Sequence, residues 1–277
     1  MNDLFIGGGG VTGFKFLGAL DYLHNKKLLL VKNFYGCSIG GLIGAYYISG
    51  VSPQNLLKNL IKKDLFKTLD YKFDKIVDHK CILEYSVLNE LLEELWTIYP
   101  ETITLLDFYN STGIYYAITS TNITKNKYET FDHIKHPDVK LKDALIATMC
   151  LPFLFKPIKI KGDYYIDGVV KEHLGSPVIN NPILGFSITS GYNTCDYSDE
   201  VNPMEYLKIL FKTVSNRMPN FRSLYHITCK EKYSVYSNLK DINNKMFLDL
   251  YKDGIKDAEN YIKSLDSFVL STESFES

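Results

Sequence analysis

The stretch Leu4–Gly13, which reads LFIGGGGVTG, determines the expected architecture more than any other part of the sequence. Its apolar triplet is a short strand candidate, and four glycines follow directly. A helix is predicted next, because apolar residues recur at helical spacing at Phe16, Leu17, Leu20 and Leu23. A strand that runs through a glycine loop into a helix indicates an α/β fold. In such a loop, backbone N–H groups and the positive end of the helix together favour an anion.

The loop Gly8-Gly9-Gly10-Val11-Thr12-Gly13 has three interpretations that the motif alone does not separate. It can hold a phosphate or stabilise an oxyanion, it matches the G-x-G-x-x-G pattern of a dinucleotide site, or it is a tight turn without a ligand. A dinucleotide site should carry an acidic residue about 20 positions further on, at the end of the second strand. Tyr35-Gly36 stands there instead, which weakens the nucleotide-binding interpretation.

The segment Gly36–Gly40, GCSIG, is a second candidate site. Asn33–Tyr35 before it is a strand candidate, and Ile39–Ile48 is apolar on nearly every face, which predicts a buried helix. A serine on a sharp turn from a strand into a helix projects its hydroxyl, and small neighbours leave room for the backbone. Ser38 is therefore a candidate nucleophile, although the same position suits a helix N-cap. Cys37 is interpreted as a small buried neighbour whose side chain points away from Ser38.

Asp167-Gly168 is the third candidate site. It ends a strand candidate that follows Gly162-Asp163, a hairpin signal. An aspartate before a glycine most often only makes a turn. The presence of the other two sites makes Asp167 a candidate catalytic residue, because a carboxylate can serve as the base that activates a serine hydroxyl.

The other segments alternate between strand and helix patterns, which indicates a layered α/β sheet. Strands are predicted at 114–119, 127–131 and 183–189, with a polar turn between the first two, and helices from Pro53 and at 87–99, 142–149, 204–216 and 247–265. Residues 64–84 are interpreted as an irregular surface excursion. No internal repeat or linker is evident, so residues 1–277 are predicted to form a single domain.

Composition and charge argue against several classes of protein. The net charge is -1 over 277 residues, so no basic field favours a nucleic-acid partner. Five scattered cysteines without a CxxC pair fit reduced thiols, and the N-terminus lacks a signal-peptide pattern. No apolar run approaches the ~18 residues of a membrane span. We therefore expect a cytoplasmic protein that meets membranes only peripherally.

The three sites, in this order, resemble those of patatin-like phospholipases. That family has a glycine-rich oxyanion loop near the N-terminus, a G-x-S-x-G elbow soon after it, and a D-G-G or D-G-A motif much later. GGGGVTGFKFLGAL and GCSIGGLIGA match the first two closely, and ATMCLPFLFKPIKIKGDYYIDGVV resembles the turn and strand that lead to the family's aspartate. LDLYKDGIKDAENYIK resembles a late helix of these proteins. The resemblance is strongest over residues 4–182.

The resemblance implies a three-layer α/β/α fold with a mainly parallel central sheet, and a lipid acyl hydrolase that passes through an acyl-enzyme. Ser38 would be the nucleophile and Asp167 its base. The remaining site residues are glycines, with the oxyanion hole at Gly8, Gly9 and Gly10 and the elbow and motif positions at Gly13, Gly36, Gly40 and Gly168. No metal or organic cofactor is implied. The expected partner is a phospholipid or another acyl-lipid substrate, and oligomeric state is not indicated.

Two departures from the family pattern favour an alternative function. Thr12 stands where the family usually has Arg or Lys, with Lys15 nearby, and Val169 follows Asp167-Gly168 where Gly or Ala is usual. A catalytically weakened member that binds lipid or a protein partner is therefore a second hypothesis.

A Ser-His-Asp triad is the competing mechanism, with His173 or His226 as the third member. Neither histidine lies in a recognisable motif, and a lone histidine is more often structural. The apolar run Leu151–Phe155, followed by Lys156, is interpreted as a buried turn beneath the site, with an interfacial lip as the alternative.

Overall fold

A mixed sheet of eight strands forms the centre of the protein. The computed structural model describes residues 2–63, 81–171, 184–189, 225–230 and 243–273, with side chains throughout except at 188–189, 225–226, 230 and 266–273. The strands are β1 (Asp3–Ile6), β2 (Asn33–Cys37), β3 (Tyr115–Asn122), β4 (Lys127–Phe131), β5 (Ile158–Ile160), β6 (Asp163–Asp167), β7 (Leu184–Thr189) and β8 (Tyr225–Lys230). Their order is β5-β6-β3-β2-β1-β7-β8, and β4 pairs with β3 outside that path.

The sheet is mainly parallel, as the resemblance implies. The five strands β3, β2, β1, β7 and β8 are neighbours in that order and run parallel. Antiparallel pairs join β4 and β6 to β3, and β5 to β6. Because parallel strands need helical crossovers, helices cover the faces of this sheet. The fold is therefore a three-layer α/β/α arrangement.

Helices follow most strands and supply the outer layers. They are α1 (Phe14–Asn25), α2 (Ile39–Ile48), α3 (Pro53–Lys62), α4 (Ser86–Leu92), α5 (Leu95–Ile98), α6 (Leu105–Thr112), α7 (Leu141–Met149) and α8 (Asn244–Glu273). A short 3-10 turn, Gly10–Gly13, leads from the glycine loop into α1. The α2 helix is buried along nearly its whole length, as its uniformly apolar sequence predicts.

The C-terminal helix α8 packs closely against α1. A methyl group built on Gly18 would lie 1.9 Å from the carbonyl oxygen of Tyr251, and one built on Gly254 would lie 1.9 Å from that of Lys15. Glycine at both positions therefore allows the two backbones to touch. The rings of Phe14 and Phe247 stack beside this crossing, 4.2 Å apart.

That residues 1–277 form one domain stays a prediction.

The structure confirms most predicted elements and corrects several. The strand predicted at 114–119 continues to Asn122, so 120–122 of the predicted polar turn lie in β3 and 123–126 form the turn. The segment 87–99 forms two helices rather than one, and α6 and β8 were not predicted. Within the predicted surface excursion, 81–83 are buried, whereas 64–80 lie outside the described residues. The predicted helix at 204–216 also lies outside them.

Candidate active site

The register of β3 brings Ser38 and Asp167 together. One edge of β3 is paired with β4 over residues 118–122, so β2 and β6 share its other edge. On that edge Thr119 pairs with Cys37, the last residue of β2, and Ser120 pairs with Asp167, the last residue of β6. Along this edge β2 and β6 thus run toward each other, and their last residues meet end to end. Residues that are 129 positions apart in the chain meet at this junction.

Ser38 forms the sharp turn between β2 and α2. Its backbone has φ 53° and ψ -125°, a conformation that residues with a side chain rarely adopt. Ser38 occupies the N-cap position of α2, but its side chain makes no capping hydrogen bond. The N-cap interpretation is therefore wrong for the hydroxyl, which points elsewhere. A strained serine between a strand and a helix is the geometry of a nucleophile elbow.

The hydroxyl of Ser38 donates a hydrogen bond to Asp167 Oδ2 at 2.6 Å. The other carboxylate oxygen, Oδ1, accepts the backbone N–H of Val169 at 3.0 Å. Asp167 is fully buried, with 0% of its surface exposed. Burial raises the pKa of its carboxyl from 3.8 to about 7, and the hydrogen bonds from Ser38 and Val169 offset part of that rise. A carboxyl with such a pKa can both take and return a proton near neutral pH.

The glycine loop lies directly against this pair. A methyl group built on Gly8 would lie 3.4 Å from Ser38 Cβ and 2.2 Å from Val169 Cγ1. Within the described residues, the backbone N–H groups of Gly8, Gly9 and Gly10 donate no hydrogen bond to the protein. Donors that are held beside a nucleophile and left without a partner suit an oxyanion.

The other predicted glycines allow close backbone contacts around the elbow. A methyl group on Gly40 would lie 2.0 Å from the carbonyl oxygen of Ile6 at the end of β1, which holds α2 against the glycine loop. Methyl groups built on Gly13, Gly36 and Gly168 would likewise lie within 2.6 Å of Ile39 Cγ2, Gly41 Cα and Thr119 O, respectively.

The two departures from the family pattern occupy different places. Val169 is buried and packs on Gly8, while its N–H supports Asp167. Thr12 is buried beside the loop. Lys15 turns away to the C-terminal helix, where its ammonium group lies 3.3 Å from Asp257 Oδ2.

Histidine is not part of this arrangement in the described part of the chain. The carboxylate of Asp167 bonds to Ser38 and to a backbone N–H, and no described histidine bonds to either dyad member. His226 lies on β8, three strands away from β2, and about 14 Å separates two strands at that remove. His173 lies outside the described residues.

The thiol of Cys150, near Asp167, is not a rival nucleophile. Burial, and then the nearby charge of Asp167, raise the pKa of the Cys150 thiol to about 12, so it stays protonated and unreactive. Cys37, beside Ser38, is fully buried, as predicted.

Among the described residues, no group of three or more His, Cys, Asp and Glu side chains is placed to hold a metal ion.

Sequence reasoning missed a layer of buried hydroxyls beneath the dyad. The Ser38 N–H donates to Thr148 Oγ1 of α7. On β3, Thr121 Oγ1 donates to the carbonyl oxygen of Asp167 at 2.9 Å, and Ser120 Oγ donates to that of Ile166 at 2.7 Å. The available signal was a run of three small hydroxyl residues, TST, directly after an apolar strand.

The segment Leu151–Phe155 is buried except at Phe153 and at Pro152, which is partly exposed. Leu151, Leu154 and Phe155 are buried, as expected of a turn beneath the site, but Phe153 is 46% exposed. Phe153 has φ 66°, and backbone hydrogen bonds from Ile82 and Leu83 to the carbonyls of Phe153 and Leu154 hold the segment. No helix in the described ranges is both long enough and apolar enough to span a bilayer.

Comparisons with known proteins place the chain in a family. Residues 4–183 match the patatin-like phospholipase family. The probable lipid hydrolase 463L of Invertebrate iridescent virus 6 is 28% identical over 176 residues, which cover 60% of this chain and 59% of that protein. The uncharacterized protein R571 of Acanthamoeba polyphaga mimivirus is 22% identical over 183 residues, or 64% of this chain and 60% of that protein. The matched part thus spans about three fifths of each relative.

A solved structure shares the fold. VipD from Legionella pneumophila superposes with a TM-score of 0.59 at 15% identity, over 95% of this chain and 67% of that protein. At this identity the likeness concerns the architecture alone.

Proposed function

This chain belongs to the patatin-like phospholipase family, and from that premise we propose that it is a lipid acyl hydrolase with a Ser38–Asp167 dyad. The observation that carries the proposal is the 2.6 Å hydrogen bond from Ser38 Oγ to Asp167 Oδ2. It joins a hydroxyl on a strained turn to a buried carboxyl whose pKa is close to neutral. The name of the viral relative, a probable lipid hydrolase, supports an ester bond in a lipid as the target.

The proposed reaction has two halves. In the first, Ser38 Oγ attacks the ester carbonyl while its proton passes to Asp167, and a tetrahedral oxyanion forms. The C–O bond to the alcohol then breaks, and Asp167 returns the proton to the departing alkoxide, which leaves an acyl-serine. In the second half, Asp167 takes a proton from water, the hydroxide attacks the acyl group, and the fatty acid leaves as Ser38 regains its proton. No step requires a metal or an organic cofactor.

The glycine loop supplies the electrostatic part of this mechanism. Among the described residues the N–H groups of Gly8, Gly9 and Gly10 have no protein partner. The close contacts of Gly8 with Ser38 and Val169 confine this part of the loop before the reaction. Donors that need no reorganisation stabilise an oxyanion better than water does. The loop therefore takes the role that side chains or metal ions have in other hydrolases.

Covalent labelling tests the nucleophile. A fluorophosphonate probe is expected to label the wild-type protein and to leave Ser38→Ala unlabelled, with the same difference in hydrolysis of phospholipid and glyceride esters. Ser49→Ala is the matched control, because Ser49 lies at the end of the same helix and donates only to a helical carbonyl. Cys37→Ala controls for the adjacent thiol. Labelling that persists in Ser38→Ala, or a folded wild type that neither labels nor hydrolyses, contradicts the proposal and favours the weakened, lipid-binding alternative.

We further propose that Phe153 contacts the lipid surface. It is the exposed tip of a segment that begins beside the dyad, since Cys150 O accepts the N–H of Asp167. A side chain held in a left-handed conformation and kept in water contributes little to folding. Burying it in a bilayer would gain about 1.5–3 kcal/mol.

Vesicle binding checks the role of Phe153. Phe153→Asp is expected to weaken co-sedimentation with phosphatidylcholine–phosphatidylserine vesicles roughly tenfold or more, while hydrolysis of a soluble ester stays unchanged. Leu30→Asp, at another exposed apolar site, is the control and should bind as the wild type does. Phe155 is unsuitable as a probe because it is buried. Equal binding by the two variants would refute a lipid contact at Phe153.

A further inference from the structure

The hydroxyl of Thr148 is fixed between two backbone groups. The N–H of Ser38 donates to Thr148 Oγ1 at 2.7 Å, and Thr148 Oγ1 donates to the carbonyl oxygen of Thr119 at 2.6 Å. All three residues are buried. The one hydroxyl proton is engaged by the Thr119 carbonyl, so Thr148 can only accept from Ser38. The orientation of this bond is therefore determined.

This bond holds the strained backbone of Ser38. Ser38 has a positive φ, and such a conformation persists only where neighbouring groups hold it. On its carboxyl side, the N–H groups of Gly41 and Leu42 donate to the Ser38 carbonyl, at 2.9 Å and 3.3 Å. On its amino side, Thr148 supplies the side-chain contact to the Ser38 N–H. Without it, a buried donor would lack a partner and the turn would relax.

We propose that Thr148 is a positioning residue for the nucleophile, holding the Ser38 turn so that Oγ stays directed at Asp167. This inference rests on the proposed function. It also restricts the oxyanion hole, because the N–H of Ser38 is engaged by Thr148 and cannot serve a substrate. Stabilisation of the oxyanion is thereby left to the glycine loop and to groups other than the Ser38 amide.

A near-isosteric pair of variants tests the proposal. Thr148→Val keeps the shape of the side chain but removes the acceptor, whereas Thr148→Ser keeps the acceptor and removes only a methyl group. We expect Thr148→Val to lower kcat and the rate of fluorophosphonate labelling about 10–100-fold, with KM within about threefold of wild type, because a small misplacement of the nucleophile costs about that factor. Thr148→Ser should stay within about threefold of wild type in kcat. Rates are normalised to the labelled fraction at the end point, so that unfolded protein does not count.

Thr112→Val is the structural control. Its hydroxyl has the same pattern of bonds, since it donates to the carbonyl of Phe108 and accepts the N–H of Ile114, but it contacts neither member of the dyad. We expect it to lower the melting temperature as Thr148→Val does, with kcat per labelled site unchanged. If Thr148→Val loses stability but retains wild-type kcat per labelled site, Thr148 is merely structural and the proposal fails. If the wild type itself does not react, the proposed function fails and this inference falls with it.

Discussion

Asp167→Asn is expected to lower turnover severely while leaving the site in place. The amide can keep both hydrogen bonds, because its oxygen can accept from the Val169 N–H and its nitrogen can donate to Ser38 Oγ. It cannot take a proton from Ser38. We expect kcat to fall roughly 10³-fold, within the range that general-base catalysis contributes. Steady-state hydrolysis of a lipid ester, with far-UV circular dichroism to confirm folding, measures this.

The same substitution is expected to stabilise the protein above neutral pH. The pKa of Asp167 is about 7 in the folded protein and near 3.8 when the chain is unfolded. Between these values the folded state retains a proton that the unfolded state has released, so the free energy of unfolding decreases as pH rises from about 4 to about 7. Above pH 7 both states are ionised and the wild type bears the full cost of a buried charge. Asparagine avoids that cost, which is of the order of 2–4 kcal/mol.

Thermal unfolding at two pH values measures this difference. Asp167→Asn should melt several degrees above the wild type at pH 8, and the gap should close near pH 4. Asp143→Asn is the control, because burial also raises the pKa of Asp143, but this residue lies in the first turn of α7 and bonds to neither member of the dyad. It should show a smaller stabilisation of the same sign and full activity. An Asp167→Asn variant that retains activity would sink the dyad, and one without a pH-dependent gain in stability would contradict a raised pKa.

The pH profile of the wild type follows from the same carboxyl. Because the ionised form of Asp167 is the base, kcat/KM should fall about tenfold per pH unit below an apparent pKa near 7. The ascending limb belongs to the free protein. A flat profile from pH 5 to pH 8 would exclude Asp167 as the titrating base.

The sequence predicts the elbow well because its information is local. A strand, a small-residue turn and an apolar helix are contiguous around Ser38, so their patterns specify the geometry without knowledge of the rest of the chain. The same holds for the glycine loop after β1. Asp167 is different, because nothing near it indicates which residue it meets. Its pairing with Ser38 depends on β2 and β6 sharing one edge of β3, which is a tertiary property.

The hydroxyl layer was missed for a related reason. Ser120 and Thr121 read as part of a polar turn, because polar residues are seldom fully buried. Here carbonyls of neighbouring elements satisfy their hydroxyls, and those carbonyls become visible only once the sheet is assembled. Helix α6 was missed despite a local signal. Thr104 and Asp107 form a capping box, but two turns are too short to show clear periodicity.

Gly8→Ala is expected to reduce activity about 10²–10³-fold, the cost of losing one oxyanion donor. Its methyl group would lie 2.2 Å from Val169 Cγ1, so the loop or Val169 must shift. Gly8 has no positive φ, so alanine can adopt its backbone conformation and the clash alone accounts for the loss. Removing Cγ1 should therefore rescue the loop. In the double variant with Val169→Ala, the nearest remaining atoms are Ser38 Cβ at 3.4 Å and Val169 Cβ at 3.7 Å, which are ordinary contacts.

A double-mutant cycle in kcat/KM therefore isolates the contact between the glycine loop and Val169. Val169→Ala alone should cost about 2 kcal/mol in stability and stay within about threefold of wild type in activity, since its N–H still supports Asp167. The double variant should recover at least about 30-fold over Gly8→Ala, a coupling of roughly 2 kcal/mol. Gly13→Ala is the control, because its methyl group meets Ile39 and Val169→Ala should not rescue it. Additive losses in the Gly8 cycle would mean that Val169 does not confine the loop, and that this departure from the family pattern acts elsewhere.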